Sequence, residues 1–339
     1  MQASSQRTGQ VRLALMFIVG VAAAAICVGA LMLWKAPVVS AQAVEDPTGA
    51  NFVVSCGFSH EKQVDPIVDP GPSGTNPDTG IPVTPAHHMH HFFGNTTTDS
   101  DSTLESLRAA ASQPDGGTTC PTTETLPPGE DAPLGDTAAY WIPTVSWTDS
   151  SGTTGPINAT QTFFYYKLGG KSPNVDVPPH PAGLKIVTIQ GKNVEWRCAN
   201  GNWSRTPPKQ CSNGKLVVRI KFPDCLQVDA NKQPLLDTDP NDPNAIPHRS
   251  HMVDSVVQDN GVKKCPSTHP YPVPMLQTNF TFPIPTTRGT VTLSSGAYST
   301  MHTDFFNAWQ AGTLEDLVAR CINEAPFTAT NPKDADCGA

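Results

Sequence analysis

The chain has 339 residues, which is enough for one large domain or two small ones. Its apolar share of 38% and charged share of 15% lie below the averages of soluble domains, and its 34 prolines are about twice the usual share, which argues against a helical bundle. Six Trp, five Tyr and 13 Phe can build a core, which argues against disorder throughout, and the net charge of −8 argues against nucleic acid as a partner.

The N-terminus carries an apolar segment long enough to cross a membrane. Residues 13–34 are 22 positions without a charge, and Arg7 and Arg12 precede them. This length spans a bilayer core of about 30 Å, and the arginines place residues 1–12 in the cytoplasm. A small-residue cleavage site ends at Ala43. The sequence therefore predicts either a transmembrane anchor or a signal segment cleaved near Ala43, and both place the rest of the chain outside the cytoplasm.

Nine cysteines fit that location. Cys27 lies inside the apolar segment and is expected to stay a free thiol. The other eight are Cys56, Cys120, Cys198, Cys211, Cys225, Cys265, Cys321 and Cys337. An even number outside the cytoplasm predicts four disulfides, with 105 possible connectivities. Short loops favour sequential pairing, above all Cys198 with Cys211 and Cys321 with Cys337.

A short linker at residues 35–50 precedes what we expect to be a single extracytoplasmic β-rich domain at residues 51–339. The first part of this domain is poor in regular structure. Residues 52–56 are β-prone, and residues 65–85 and 112–138 are loops. Between the two loops, the capping box Ser102-Thr103-Leu104-Glu105 predicts a short helix that ends at about Ala111.

Strands dominate from residue 140 onward. Segments rich in β-branched and aromatic residues, bounded by Gly, Pro or Asn, occur at 140–147, 161–168, 183–190, 193–198, 216–222 and 290–294. Residues 229–247 form another loop. Thr313 is expected to cap a second helix with Leu314, Leu317, Val318 and Cys321 on one face. Many short strands, long loops and two short helices predict a mainly β fold with a β-sandwich or jelly-roll-like core.

Histidines cluster in a way that is typical of a functional site. His88 and His90 point to one face if their segment is a strand, and so do His302 and Asp304. His251 lies in a third group, His248-Arg249-Ser250-His251. Two imidazoles on one strand face can bind one metal ion. The alternative is that these histidines are structural, as we expect for His60 and His180, or belong to a loose His-rich surface segment.

Several blocks resemble a domain family of unknown function that occurs in secreted and cell-surface proteins of actinobacteria and filamentous fungi. The blocks are FVVSCGFS at 52–59, DPIV at 65–68, HMHHFFGN at 88–95, PAGL at 181–184, FPDC at 222–225, HRSHM at 248–252, CPSTHP at 265–270 and HTDF at 302–305. One departure is Leu226-Gln227, where the family pattern has Trp-Asp. The resemblance implies an extracytoplasmic domain with a His-rich site and implies no particular reaction.

The sequence thus predicts a cell-envelope domain that binds or cleaves carbohydrate or a cell-wall polymer. It contains no G-x-S-x-G, H-E-x-x-H or phosphate-binding loop. We expect a divalent metal ion to be held by His88, His90, His251, His302 and Asp304, where it would polarise a substrate oxygen. Without a metal, a histidine would act as general base. The competing hypothesis is a non-enzymatic structural or interaction protein of the envelope whose histidines are structural. In both cases we expect the N-terminal helix to contact the membrane.

Overall fold

The computed structural model describes residues 50–68, 88–120, 135–172, 175–239, 243–244, 246–324 and 337. The predicted cytoplasmic N-terminus, the apolar segment 13–34 and all of the linker except Ala50 lie outside these residues. Within the described part of the chain, no helix combines the length and the apolar character needed to cross a membrane.

Short β-strands make up most of the described structure. In chain order they are β1 (Asn51–Val54), β2 (Phe58–Lys62), β3 (His90–Gly94), β4 (Ala139–Pro143), β5 (Val145–Asp149), β6 (Thr154–Pro156), β7 (Gln161–Lys167), β8 (Lys185–Val187), β9 (Val194–Cys198), β10 (Lys215–Lys221), β11 (Cys225–Leu226), β12 (Met252–Val253), β13 (Val256–Val257), β14 (Lys263–Lys264), β15 (Tyr271–Pro272), β16 (Met275–Pro283), β17 (Gly289–Leu293), β18 (Gly296–Ala297) and β19 (Asp304–Phe306). The two short α-helices are α1 (Leu104–Ala109) and α2 (Thr313–Val318).

The strands pair antiparallel in every sheet. Sheet 1 has the order β1-β7-β16-β10-β9, sheet 2 the order β2-β3-β4-β19-β8, and sheet 3 the order β18-β17-β5-β6. Two smaller sheets have the orders β12-β11-β15 and β13-β14. The mainly β prediction and the two short helices are therefore confirmed.

Sheets 1 and 2 contact each other through aromatic side chains. Tyr140 of β4 packs against Phe164 of β7 with ring centroids 3.9 Å apart, and Phe93 of β3 packs against Phe280 of β16 at 5.0 Å. All four are fully buried. Because side chains alternate along a strand, the neighbours Phe92 and Trp141 point to the opposite face of sheet 2. There they stack at 5.5 Å within a second, smaller core.

A polar network crosses the core between sheets 1 and 2. Trp309 Nε1 donates to the Tyr166 hydroxyl at 3.0 Å, the hydroxyls of Tyr166 and Tyr140 are 2.7 Å apart, and Tyr140 donates to Asp136 at 2.9 Å. Burial raises the pKa of Asp136 to about 7, although the hydrogen bonds from Tyr140 and from the Ala138 amide lower it. Each of these buried polar groups has a partner, so the network orients the two sheets relative to each other.

The predicted strands differ from the observed ones in two instructive places. The single strand expected at 140–147 is two strands, because the amide of Thr144 bonds Met89 and its carbonyl bonds Ser294. This residue therefore separates β4 in sheet 2 from β5 in sheet 3. The nine-residue strand β16, the central strand of sheet 1, was not predicted at all. Prolines at 272, 274 and 285 flank it and Pro283 is its last residue, and such prolines indicate a loop when they are considered alone.

Both predicted helices form, but each begins one residue away from the prediction. In α1 the capping box joins Thr103 and Ser106, with the Thr103 side chain accepting from the Ser106 amide at 3.1 Å. In α2, Thr313 is the first helical residue and Gly312 is the cap, at φ +87°. The Gly312 amide donates to the Glu315 carboxylate at 3.0 Å. The predicted apolar face of α2 is buried as expected.

Four disulfides join sequential cysteines. They are Cys56–Cys120, Cys198–Cys211, Cys225–Cys265 and Cys321–Cys337. The prediction of four disulfides is confirmed, as are the two pairings favoured by their short loops. Such disulfides persist in oxidising compartments, and they point to an extracytoplasmic location for this domain.

Peptide mapping without reduction checks this connectivity. We expect one linked peptide pair for each of the four disulfides and a free thiol at Cys27 only. Any cross-linked peptide outside the sequential pattern, or a second free thiol, would contradict the pairing.

A buried ion pair stabilises the region where β7 ends. The Lys171 ammonium bonds the Asp224 carboxylate, and both side chains are at most 5% exposed. Asp224 also accepts from the Ser255 amide and hydroxyl, at 2.7 and 2.8 Å. Lys171 donates to the Val273 carbonyl at 3.1 Å. Burial lowers the pKa of Lys171, and the adjacent Asp224 raises it.

Removing one partner of this pair is expected to destabilise the domain strongly. The Asp224→Asn variant leaves the Lys171 charge buried without a counter-ion, so the free energy of unfolding should fall by about 3–5 kcal/mol. Urea denaturation measures it. The control is Asp316→Asn, which breaks the exposed pair of Asp316 with Arg320 and should change stability by less than about 1 kcal/mol. Equal losses in the two variants would refute the structural role of the buried pair.

Candidate metal centre

The outer face of sheet 2, opposite sheet 1, presents an array of titratable side chains. His90 begins β3 and pairs with Pro143, while Asp304 begins β19 and pairs with Trp141 of β4. His90 points to the same face as Phe92, because the two lie two residues apart along β3. Asp304 points to the same face as Trp141, because the two lie directly opposite each other in neighbouring strands. His302 precedes Asp304 by two residues. The predicted H-x-H and H-x-D pairs therefore lie beside the same central strand.

Three imidazoles meet on this face. The ring centroids of His88 and His90 are 4.3 Å apart, those of His88 and His302 are 5.2 Å apart, and those of His90 and His302 are 6.2 Å apart. One nitrogen from each ring lies within 4.8 Å of the other two. His90 and His302 are buried, while His88 is half-buried. The spacing is that of side chains able to bind one ion.

Backbone carbonyls orient two of the three rings. Nδ1 of His90 lies 2.9 Å from the Val64 carbonyl, and Nδ1 of His302 lies 2.8 Å from the Thr300 carbonyl. A carbonyl can only accept, so each Nδ1 carries the proton and each Nε2 keeps its lone pair. This arrangement is typical of metal-binding histidines, whose second nitrogen is held by a carbonyl or carboxylate.

Two carboxylates complete the centre. Asp65, His90 and Asp304 form a second group whose ligand atoms lie within 4.8 Å of one another, so His90 belongs to both groups. One carboxylate oxygen of Asp65 accepts from the amides of Ile67 and Val68, at 3.0 and 2.9 Å. These bonds fix the turn that follows β2 and hold the carboxylate over sheet 2.

Asp304 is the most unusual member. Its side chain is fully buried, and neither carboxylate oxygen accepts a hydrogen bond from a described residue. Nε2 of His302 lies 3.7 Å from Oδ2 of Asp304. Burial and the nearby Asp65 carboxylate raise the pKa of Asp304 well above its usual range, and Arg249 lowers it. Such a carboxylate requires a cation or a proton.

His302 is held neutral. Burial lowers its pKa to about 4, although the bond to the Thr300 carbonyl raises it. The charges of His90 and His88 lower it further. A neutral imidazole with a free Nε2 is the form that binds a metal ion.

The structure places His251 outside both groups. Its Nε2 lies 2.8 Å from the Lys185 carbonyl of β8, and its Nδ1 lies 3.5 Å from the Thr238 hydroxyl. Both ring nitrogens are thus directed to protein atoms. Four of the five predicted residues come together, and Asp65 joins them in place of His251. Asp65 was missed because it lies some 25 residues before the imidazoles, although it opens the DPIV block.

A third buried group of potential ligands does not form a metal site. Cys56, Cys120 and Asp136 lie within ligand distance of one another. The two cysteines are joined in a disulfide and offer no thiolate.

His60 and His180 have structural surroundings. His60 stacks on Phe92 at 4.7 Å, and its Nε2 lies 3.0 Å from the Thr98 carbonyl. His180 is packed between Tyr166 and Phe305, and neither ring nitrogen has a hydrogen-bond partner among the described residues. Burial lowers the pKa of His180 to about 3, with a further contribution from Lys171.

His180 makes stability depend on pH. An unfolded histidine titrates near pH 6.5, whereas the folded His180 titrates near 3. Between these values the unfolded chain binds more protons, so stability falls as the pH falls below 6.5. The His180→Leu variant should lose less stability on acidification to about pH 5, by about 1 kcal/mol for each pH unit. Urea denaturation across this range measures the slope.

The control for this experiment is Phe305→Leu, which alters the same part of the core without removing a titrating group. It should lower stability by a similar amount at every pH. Parallel profiles for wild type and His180→Leu would contradict the assignment of this slope to His180.

Comparison with known proteins gives a family but no characterised relative. The searches of curated proteins and of solved structures found no match. The family model described as Domain of unknown function (DUF1996) matches residues 65–309. This range begins at Asp65, the first residue of the candidate centre, and ends just beyond the last one, Asp304. Because the match covers more than half of the chain, the chain belongs to the DUF1996 family.

Proposed function

We propose that this chain is an extracytoplasmic domain that binds one divalent metal ion, and that it binds or cleaves carbohydrate at this metal centre. The ligands are Asp65, His88, His90, His302 and Asp304. The observation that carries the proposal is the fully buried carboxylate of Asp304, which has no hydrogen bond from a described residue and lies beside imidazoles and a second carboxylate. A cation bound at this point would offset the energetic cost of burying two neighbouring negative charges.

The donor set selects the class of metal. Imidazole nitrogens suit zinc, iron, nickel and copper, and the two carboxylates also suit manganese, whereas calcium and magnesium prefer oxygen ligands alone. The group contains no thiolate, which disfavours sites of the soft-metal type. We therefore propose a first-row transition metal held by nitrogen and oxygen.

The chemistry proposed for the centre is polarisation of a substrate oxygen. A divalent metal stabilises negative charge that develops on an oxygen and acidifies a bound water. The half-buried His88 is the most accessible of the three histidines, so it marks the side from which a substrate oxygen enters. The metal-free alternative, a histidine general base, is less favoured. His302 has a pKa of about 4, which makes it a weak base at neutral pH.

The runner-up is a non-enzymatic envelope protein in which the centre only stabilises the fold. The burial of four of the five side chains favours it, because structural metal sites are closed. In either case we propose that residues 13–34 anchor the domain in the membrane, or direct its secretion with cleavage near Ala43.

Metal analysis tests the proposal. Wild-type protein dialysed against Zn²⁺ or Mn²⁺ should retain one ion per chain. The double variant His90→Ala, His302→Ala should bind more than about 100-fold more weakly, because two nitrogen ligands are lost. The ion should also raise the melting temperature of wild type alone, since it binds only the folded state.

His60→Gln is the matched control, because His60 is a partly buried histidine of the same sheet outside the centre, and it should retain the ion. Absence of a bound ion in wild type would refute the metal centre. Metal-loaded wild type that neither binds nor cleaves any member of a polysaccharide panel would favour the structural alternative.

A further inference from the structure

The second histidine cluster builds a rigid turn next to the metal centre. In the turn at residues 246–252, the amides of Arg249 and Ser250 both donate to the Ile246 carbonyl at 3.1 Å. His248 adopts φ +57°, a left-handed conformation that costs energy for a residue with a side chain. Backbone of this kind persists where its surroundings over-determine it.

Hydrogen bonds from three other imidazoles, those of His248, His251 and His269, hold this turn in place. Nδ1 of His248 lies 2.8 Å from both oxygens of Asp237. Nε2 of His251 lies 2.8 Å from the Lys185 carbonyl, and Nε2 of His269 lies 2.8 Å from the Ser250 carbonyl. The turn is therefore fixed on both sides of Arg249, and none of these histidines is itself in the candidate centre.

The turn is also bonded to the strand next to Asp304. The Val187 amide of β8 donates to the His248 carbonyl at 3.1 Å. Val187 is in turn the register partner of Asp304. Arg249 directly follows His248, whose carbonyl is bonded to Val187, the residue opposite Asp304. These contacts bring Arg249 to the edge of the centre.

The Arg249 side chain has no bonded partner among the residues that the structure describes. It is half-buried, and its guanidinium makes no hydrogen bond or ion pair with any described residue. Its charge nevertheless acts on Asp304. A guanidinium has five donors in a planar fork that matches a carboxylate or a phosphate.

We propose that Arg249 binds an anionic group, a carboxylate or a phosphate, on the substrate of the metal centre. The inference rests on the proposed function. A divalent ion offsets the charges of Asp65 and Asp304, so Arg249 leaves one positive charge in excess. A substrate with one oxyanion restores neutrality and fills the free donors. This makes an acidic sugar, such as a uronic acid or a sugar phosphate, the substrate class.

Binding of three small probes to the Zn²⁺-loaded full-length protein tests the inference. Glucuronate carries a carboxylate, glucose 6-phosphate carries a phosphate, and glucose carries neither. Calorimetry should show that wild type binds at least one of the two anions ten times or more tightly than glucose. The tighter of the two identifies the oxyanion.

Variants assign that discrimination to Arg249. Arg249→Gln should lose it at least tenfold, and Arg249→Lys should keep part of it, because a charge remains without the fork. The exposed Arg205 provides the control, and Arg205→Gln should behave as wild type. Zinc affinity without sugar should be unchanged or slightly tighter in Arg249→Gln, because a nearby positive charge is removed.

Two failures can be told apart. If wild type binds no zinc, the proposed function fails and the inference falls with it. If wild type binds zinc but treats the three probes alike, or if Arg249→Gln discriminates as wild type does, only the role of Arg249 is refuted. Weaker zinc binding by Arg249→Gln would show that the arginine supports the centre instead of the substrate.

Discussion

The burial of the Asp304 carboxylate is the constraint on which the outer face of sheet 2 depends. An ionised carboxylate removed from water without hydrogen bonds is expensive, and a second one within 4.8 Å adds repulsion. Burial and Asp65 accordingly raise the pKa of Asp304. In the absence of an ion, the group relieves this by taking a proton. With a divalent ion, both carboxylates and the imidazole nitrogens become favourable ligands. The geometry that is unfavourable for the two carboxylates alone is therefore suited to a cation.

The aromatic layer on the other face of sheet 2 holds this geometry in place. Tyr140 and Phe305 point to that layer, while their chain neighbours Trp141 and Asp304 point to the centre. The polar network through Tyr140 fixes the position of β4 relative to sheet 1. A displacement of β4 or β19 would therefore break buried contacts on both faces at once. Binding sites built on such paired strands are more precise than those built on loops.

Local pattern predicted much of this centre, and distance in sequence limited the rest. The pairs His88/His90 and His302/Asp304 follow from the two-residue period of a strand, which requires no knowledge of the fold. Their convergence depends on β3 and β19 flanking β4, a pairing across more than 150 residues that composition does not encode. Asp65 enters through a turn whose only local signal is an Asp-Pro pair. Local pattern does not predict strand β16, because the prolines around it indicate a loop. Its pairing with β7 and β10, which are distant in sequence, is what makes it a strand.

The histidines themselves show why residue type and clustering do not identify ligands. His90 and His302 each bond a carbonyl through Nδ1 and keep Nε2 directed toward other ligand-type atoms. His251 directs Nε2 to the Lys185 carbonyl and Nδ1 toward the Thr238 hydroxyl, and it belongs to neither group of ligand atoms. His180 has neither arrangement and is simply part of the aromatic core. The count of imidazoles in a segment is thus less informative than which nitrogen is already bonded. In this chain that distinction separates the histidines that can bind an ion from those that position the turn carrying Arg249.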